Sequence, residues 1–389
     1  MLNVAVVGHV DHGKSTLIGR LLYDTDSLPH ERIEEIKRTC RELGKKLEFA
    51  YIVDALEEER INEMTIDTTQ TFFKSKKRSY SLIDAPGHKE FLKNMVTGVS
   101  QADVGILIVD VKEGVKEQTK RHAYLLKLLG IPSVIVAINK MDLIDYSKER
   151  FEEVKKEVET YLLSIGLKPK FIIPISAYNG ENIVFPSKEM KWCGITLLEA
   201  LEKLERPHIK ETFRFIVQDE FDGIYLGNII SGKLHVNERV ARYPQGDEVE
   251  IKTILTDREV EEVEAPKAIG IKCNKQLERG DVLTKSKPNV TREIKTLVFL
   301  LKDALKEKEE LLLRCATQES LCKIKQIKEK INIETLEKTS ANELKETDIG
   351  VVEIMLKKPL VFESISHAKE LGRFVLVKNH EIVAGGIIP

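Results

Sequence analysis

The segment that most constrains this chain is Gly8-His9-Val10-Asp11-His12-Gly13-Lys14-Ser15-Thr16, which fits the phosphate-loop pattern G-x-x-x-x-G-K-[ST] without a mismatch. It follows a short apolar run at Asn3–Val7 and precedes a helical pattern at Thr16–Leu22, so the order is strand, glycine loop, helix. Glycines let backbone N–H groups turn inward around phosphates, and a helix N-terminus adds partial positive charge. The sequence therefore predicts that Asp11 to Thr16 bind the phosphates of a nucleoside triphosphate.

Metal binding is predicted beside this loop. The Ser15 hydroxyl would bind Mg²⁺, and Lys14 would reach the β- and γ-phosphates. Asp84-Ala85-Pro86-Gly87-His88 follows a second apolar run at Tyr80–Ile83. An aspartate at such a strand end can hold Mg²⁺, usually through water. We therefore expect Asp84 to be a second metal ligand and the Gly87 N–H to sense the γ-phosphate.

Two more residues are candidates for the chemical step. Thr65 precedes a predicted strand at Thr68–Phe73, where its hydroxyl would complete the Mg²⁺ shell and touch the γ-phosphate. Loss of that phosphate would release the segment, which is an order–disorder switch. His88 would orient the attacking water. We predict His88, Lys14 and Thr65 as catalytic residues.

The base is predicted to be chosen by Asn139-Lys140-Met141-Asp142, which ends a strand-like run at Ser133–Ile138. Guanine offers its N1–H and N2–H₂ groups side by side, and the Asp142 carboxylate can accept both. Adenine presents an N1 acceptor there, so the carboxylate would be buried without a partner. The two motifs together predict binding of GTP and GDP.

Supporting contacts to the base are predicted from the same region. The Lys140 stem would cover one face of the base, and Asn139 would tie this loop to the phosphate loop. Ser176 and Ala177 follow the predicted strand Phe171–Ile175, and their backbone would meet guanine O6. These residues complete the predicted nucleotide site.

Composition argues against several other classes. The chain has 389 residues and a formal net charge of −2, which gives no electrostatic case for a large nucleic-acid surface but does not exclude a modest basic face. No apolar run approaches the roughly 18–20 residues that span a membrane. The N-terminus enters the first strand directly, so we expect no signal peptide. Five cysteines without a C-x-x-C pair indicate free thiols in a reducing cytoplasm.

The pattern of elements predicts an α/β phosphate-loop domain followed by two small β-barrels. Strands alternate with amphipathic helices at His30–Lys45, Glu117–Leu129, Lys148–Ile165 and Thr196–Leu204. This alternation predicts a parallel sheet covered by helices, with ligands beyond the carboxyl ends of its strands. After Pro207 the chain changes to short strands separated by glycine turns. The predicted domains are residues 1–207, 208–288 and 289–389.

Two charged segments lie between predicted strands. The basic cluster Lys74–Arg78 is interpreted as a solvated hairpin turn, with contact to a partner or to RNA as the less favoured alternative. Lys302–Glu310 is compatible with a helical turn or a charged loop. Asn379-His380 is predicted to form a tight turn before a last strand at Glu381–Ile388.

The motifs GHVDHGKST, DAPGH, NKMD and ISA, in this order, resemble those of the translation-factor class of GTPases. Within that class the chain is closer to the branch with elongation factor 1-alpha and the GTPase subunit of bacterial ATP sulfurylase. Four stretches favour the latter: EQTKRHAYLLKLLGI, VAINKMDLIDYS, EMKWCGITLLEALE and GRFVLVKNHEIVAGGII.

The resemblance implies a regulatory GTPase that works with the catalytic subunit of sulfate adenylyltransferase. In that family the partner joins sulfate to the adenylyl group of ATP and releases pyrophosphate, and GTP hydrolysis helps to drive this uphill step. Val10 and Met64 occupy the positions of an apolar gate that holds His88 back. The chain departs from the family at Glu63 and Met64, where glycine and isoleucine are usual.

A second function stays open on the same fold, namely delivery of aminoacyl-tRNA to the ribosome. Net charge does not decide between the two. An ATP-driven kinase is disfavoured by Asp142, and a fused kinase is not predicted because the chain has no second phosphate loop.

Overall fold

The computed structural model describes residues 1–9, 11–28, 70–84, 102–204, 212–332, 337–365 and 367–388, together with residues 31, 33, 34, 38, 49 and 335. The chain divides into two compact units, Met1–Pro207 and His208–Pro389. The predicted helix at His30–Lys45 lies almost wholly outside the described residues. The finer division at residue 288 stays a prediction.

The first unit contains a six-stranded sheet. Its strands are β1 (Leu2–Gly8), β2 (Gln70–Lys74), β3 (Ser79–Asp84), β4 (Val104–Asp110), β5 (Ser133–Asn139) and β6 (Phe171–Pro174). They lie in the order β2-β3-β1-β4-β5-β6, and all neighbours are parallel except β2, which pairs antiparallel with β3. Every residue of β4 is buried, as expected for a central strand covered on both faces, and this strand was not predicted from sequence.

Four described helices cover the sheet: α1 (Lys14–Asp24), α2 (Glu117–Leu128), α3 (Lys148–Ser164) and α4 (Leu197–Lys203). Apolar residues of α1 and α4 share one core cluster with Val4, Ile106 and Ile135 of the sheet. The opposite face of β4 is reached by α2, because a Cβ at Gly105 would meet the Leu126 side chain at 2.8 Å. Alternate residues of β4 thus face different helices, and the predicted α/β architecture is confirmed.

Local sequence explains where these helices begin. The Ser147 hydroxyl accepts the Arg150 N–H at 3.2 Å and caps α3. Thr196 and Glu199 form a reciprocal capping box at the start of α4. Within the part of the chain that the structure describes, none of the helices has the length and apolar composition of a membrane span.

The basic cluster Lys74–Arg78 forms the turn of the β2–β3 hairpin, as predicted. Arg78 also donates to the carbonyls of Leu204 at 2.9 Å and Glu202 at 3.2 Å. These carbonyls lie at the C-terminal end of α4, where backbone acceptors lack partners within the helix. The turn therefore anchors the last helix of the unit.

The second unit contains two closed antiparallel barrels. The strands of the first barrel are β7 (Arg214–Phe221), β8 (Ile224–Ser231), β10 (Arg239–Tyr243), β11 (Asp247–Leu255), β12 (Glu259–Val260), β14 (Lys267–Cys273) and β15 (Val282–Thr284). They lie in the order β10-β15-β7-β8-β14-β11-β12, and the barrel closes by pairing β10 with β11. The ribbon of β9 (Lys233–His235) and β13 (Glu262–Glu264) accompanies it.

The strands of the second barrel are β16 (Asn289–Leu300), β18 (Glu310–Cys315), β19 (Gln318–Ile331), β20 (Lys338–Thr339), β22 (Ile349–Phe362), β23 (Arg373–Lys378) and β24 (Glu381–Ile387). They lie in the order β18-β23-β24-β16-β22-β19-β20, and the barrel closes by pairing β18 with β19. Each barrel has its own buried core. The prediction of two β-barrels is confirmed.

Lys302–Glu310 was interpreted wrongly from sequence. It contains the short strand β17 (Ala304–Lys306), which pairs antiparallel with β21 (Glu343–Lys345). The strand exists because Leu305 and Leu344, both buried, pair across the ribbon. The turn at Asn379-His380 forms between β23 and β24 as predicted, with φ angles of 49° and 67°.

The two barrels contact each other through a polar and an apolar set of residues. Arg214 of β7 donates to Glu363, which follows β22, at 2.8 Å, and also to the Thr284 hydroxyl. The Thr317 hydroxyl donates to the carbonyl of Val217 at 2.7 Å. Around them, buried apolar residues from both barrels form one cluster: Ile216, Ile230, Val282, Val361, Ala368 and Leu371. This interface makes the barrels one compact unit.

We expect Arg214→Ala to destabilise this interface by about 2–4 kcal/mol, because it leaves the Glu363 carboxylate partly buried without its partner. The two side chains are only 10% and 15% exposed. Hydrogen exchange of β7 and β22 amides under mild denaturant measures the change. Arg314→Ala is the control, because its pair with Glu319 is 53% and 57% exposed and contributes little. Equal effects of the two substitutions would contradict the role of the Arg214–Glu363 pair in stabilising the interface between the barrels.

Candidate nucleotide-binding site

The phosphate loop joins β1 to α1 in the first unit. Gly13 caps α1 with a left-handed backbone (φ 90°), a conformation that favours glycine. The Lys14 ammonium group donates to the carbonyls of Gly8 at 2.9 Å and His9 at 3.1 Å, so the loop curls around it.

Ser15 and Thr16 occupy the first turn of α1, where N–H groups favour anions. Asp11 lies in the loop with a φ of 66°. The arrangement is a cradle for phosphate.

Asn139 joins three segments of the site. It ends β5 and is 2% exposed. Its side-chain Nδ2 group donates to the His12 carbonyl at 2.8 Å, and its Oδ1 accepts the Ala177 N–H at 2.9 Å. A Cβ on Gly13 would lie 2.5 Å from the same Nδ2. One amide therefore sets the spacing between the phosphate loop and the Ser176-Ala177 loop, and glycine at position 13 permits the close approach.

The residues predicted to read guanine meet beside this bridge. The Ser176 hydroxyl donates to Asp142 Oδ1 at 2.6 Å, which fixes one oxygen of the carboxylate. The Ser176 Oγ also accepts the Asn179 N–H at 3.1 Å. Lys140 has a left-handed backbone (φ 66°), and its Nζ lies 2.7 Å from Asp110 Oδ2. The structure thus brings Asn139, Lys140, Asp142, Ser176 and Ala177 together at the carboxyl ends of β5 and β6.

A set of imidazoles lies around the phosphate loop. His9 Nδ1 contacts Gln118 Oε1 of α2. His12 is fully buried, with Nδ1 3.3 Å from the Ile108 carbonyl and Nε2 3.4 Å from Glu113 Oε2.

Burial lowers the pKa of His12, and burial together with the nearby Lys14 charge lowers the pKa of His122 to about 3. His12 and His122 are therefore neutral at pH 7.

Thr65, Gly87 and His88 lie outside the described residues, as do Val10, Glu63 and Met64. Asp84 ends β3, and its backbone pairs with Val6 of β1, next to the phosphate loop. Among the described residues no group of three or more His, Cys, Asp or Glu forms a metal site. One hydroxyl, Ser15, at a phosphate cradle fits Mg²⁺, because this ion binds through few protein ligands plus substrate phosphates.

Residues that the sequence analysis missed support this site. Asp110 ends β4 directly opposite Asn139 and holds Lys140. Glu113 and Gln118 contact His12 and His9. An aspartate at the end of a continuous apolar run, Val104–Val109, next to the base-binding strand was the signal that could have found Asp110.

Comparison with known proteins defines the class. Residues 1–207 match the family described as Elongation factor Tu GTP binding domain, and residues 292–389 match GTP-eEF1A C-terminal domain-like. The chain therefore belongs to the elongation factor Tu class of GTPases, and it binds and hydrolyses GTP.

Two kinds of full-length relative are found within this class. The chain is 37% identical to elongation factor 1-alpha of Pyrococcus furiosus over 416 residues, covering 100% of this chain and 97% of that protein. It is 36% identical to elongation factor 1-alpha of Thermoplasma acidophilum over 409 residues, covering 99% and 96%. It is 34% identical to sulfate adenylyltransferase subunit 1 of Alteromonas mediterranea over 409 residues, covering 100% and 87%.

Proposed function

We propose that the chain is a guanine-nucleotide switch whose base is read by Asp142 and whose phosphates lie in the loop Asp11–Thr16. The observation that carries this proposal is the Asn139 side chain, which joins the His12 carbonyl to the Ala177 N–H. A base held at Asp142 and Ala177 is thereby placed at a fixed distance from the phosphate cradle. Such preorganisation favours tight binding.

We assign GTP hydrolysis to the predicted catalytic and metal-binding residues. Lys14 neutralises charge on the β- and γ-phosphates, and Ser15, Thr65 and Asp84 would hold Mg²⁺. The ion would supply positive charge where the transferred phosphoryl group becomes more negative. His88 orients the water, and the Gly87 N–H detects the γ-phosphate. When that phosphate leaves, the segment around Thr65 is released.

We further propose that this switch serves sulfate activation, as the GTPase subunit of a sulfate adenylyltransferase. A partner subunit joins sulfate to the adenylyl group of ATP, forming adenylyl sulfate and releasing pyrophosphate, while this subunit hydrolyses GTP. Two observations support the proposal. Four sequence stretches resemble the GTPase subunit of bacterial ATP sulfurylase, and a sulfate adenylyltransferase subunit 1 is 34% identical to the chain. Three of those stretches form α2, α4 and the β23–β24 hairpin.

Aminoacyl-tRNA delivery to the ribosome is the second candidate. The elongation factor 1-alpha relatives favour it, since they match over 99–100% of this chain and 96–97% of their own length. The net charge of −2 gives it no independent support. The two candidates share the switch and differ in the partner that triggers hydrolysis.

We expect low basal GTP turnover that rises steeply when the catalytic adenylyl-transferring subunit of the same organism, ATP and sulfate are added. GTPases of this type turn over at roughly 10⁻⁴–10⁻² s⁻¹ alone, and partners add up to about 10⁵-fold. Phosphate release from GTP, with each component omitted in turn, measures the effect. In the genome, a reading frame for that catalytic subunit beside the one for this chain would also support sulfate activation.

The same assay separates the two candidates. If GTP turnover is unchanged by the catalytic subunit and the protein binds aminoacyl-tRNA in a salt-sensitive way, the function is translation and not sulfate activation. Stimulation that requires both ATP and sulfate, with no binding of tRNA, would support sulfate activation.

A further inference from the structure

Asp110 occupies a position that connects the two halves of the nucleotide site. It is the last residue of β4, pairs with Asn139 of β5 and is 3% exposed. Its Oδ1 accepts the Lys112 N–H at 2.7 Å and the Glu113 N–H at 3.4 Å. Its Oδ2 lies 2.7 Å from Lys140 Nζ. Both oxygens are therefore used, one by the following loop and one by the lysine of the base-binding motif.

The charge state of Asp110 supports an ion pair. Burial raises the pKa of this carboxyl, but the hydrogen bonds from Lys140 and from the Lys112 N–H lower it by more, so the pKa lies below its ordinary value. The carboxylate is therefore charged at neutral pH. An ionised acceptor strengthens the hydrogen bond to the ammonium group.

We propose that Asp110 is a positioning residue for the guanine nucleotide. By holding the Lys140 side chain across the base pocket, Asp110 sets how long the nucleotide stays bound. The inference rests on the proposed placement of the base beside Lys140. A lysine has a flexible four-carbon stem with high rotamer entropy. Anchoring its amine at Asp110 orders the stem before the base arrives, so less freedom is lost on binding.

The loop after Asp110 is itself held by α3. Arg150 donates to the carbonyls of Val111 at 3.1 Å and Lys112 at 3.0 Å. Glu157 accepts the Val115 N–H at 3.3 Å. These contacts keep the N–H groups of the loop directed at the Asp110 carboxylate.

The same loop reaches the phosphate side of the site. Glu113 Oε2 lies 3.4 Å from His12 Nε2, within the phosphate loop. The segment Asp110–Glu113 thus contacts both the base-binding lysine and the phosphate loop. The segment is not part of either sequence motif, and its contacts are seen only in the structure.

Asp110→Asn tests the inference, because the amide oxygen still accepts the loop N–H groups while its NH₂ group faces the Lys140 ammonium. We expect release of a fluorescent GDP analogue to be roughly tenfold faster, since a hydrogen bond to a charged group is lost. The preference for GTP over ITP stays, because a lysine stem covers any purine.

Lys140→Met and the double variant complete the experiment. Lys140→Met removes the same pair, so the double variant releases GDP no faster than the faster single variant. Glu152→Gln is the matched control, because it breaks an exposed pair with Lys155 on α3, and its release rate equals that of the parent.

Three results would overturn the inference: unchanged release in Asp110→Asn, additive effects in the double variant, or equally fast release in Glu152→Gln. If Asp110→Asn does not fold, Lys140→Met alone decides, and unchanged release there would also overturn it. Failure of the base site is recognised separately, because the parent protein would then show no preference for GTP over ATP.

Discussion

Asp142→Asn is expected to shift the purine preference of the protein from guanine to xanthine. The Ser176 hydroxyl fixes one oxygen of the Asp142 carboxylate at 2.6 Å. In the proposed complex the carboxylate accepts the N1–H and N2–H₂ of guanine. An asparagine presents an NH₂ group, which repels the N2–H₂ of guanine and donates to the C2 carbonyl of xanthine. We expect GTP affinity to fall by at least roughly 10³ and XTP affinity to rise, because sites built on specific hydrogen bonds discriminate strongly.

Competition of GTP, XTP and ATP for the parent and variant proteins measures this shift. Asp145→Asn is the matched control, because it makes the same chemical change at an exposed residue three positions further along. A variant that retained the parent preference for GTP, or a control that changed it equally, would contradict the assigned base contact.

Asn139→Asp is expected to weaken binding of GTP and GDP by roughly 10²–10³, because a buried carboxylate cannot donate to a carbonyl. The Nδ2 group of Asn139 donates to the His12 carbonyl at 2.8 Å, and the side chain is 2% exposed. An anion facing that carbonyl would push the phosphate loop away from the base-binding loop. Because both parts of the nucleotide are affected, the change differs from the purine-specific effect at Asp142.

Calorimetric titration with GDP and GTP measures the loss, and circular dichroism checks that the variant is folded. Asn179→Asp is the control, because the exposed Asn179 side chain donates to the Tyr146 hydroxyl at 2.9 Å and not to the His12 carbonyl. A folded Asn139→Asp variant with parental affinity would contradict the role of Asn139 as the link between the two loops.

Local sequence predicts this fold well wherever an element satisfies its own pattern. Four elements can be predicted from their own residues alone. These are β1 and β5, which are apolar runs, and α2 and α3, which have an amphipathic period. The strand β17 cannot be predicted in this way, because three residues within a charged segment become a strand only by pairing with residues 343–345. Such pairing depends on a partner distant in sequence.

The candidate site shows the same division. Phosphate and base binding are predicted from contiguous motifs, because each motif places its groups on one loop. Asp110 and Arg150 belong to no motif, and their contribution arises from contacts between segments 30 to 40 residues apart. Sequence can place such residues at strand and helix ends but cannot show what they touch.

Calorimetric titration of the intact protein with GTP and with ATP, both in the presence of Mg²⁺, tests whether this phosphate loop serves a guanine-specific switch. We predict tight binding of GTP and at least roughly 10³-fold weaker binding of ATP. Equal affinities for the two nucleotides would contradict guanine specificity.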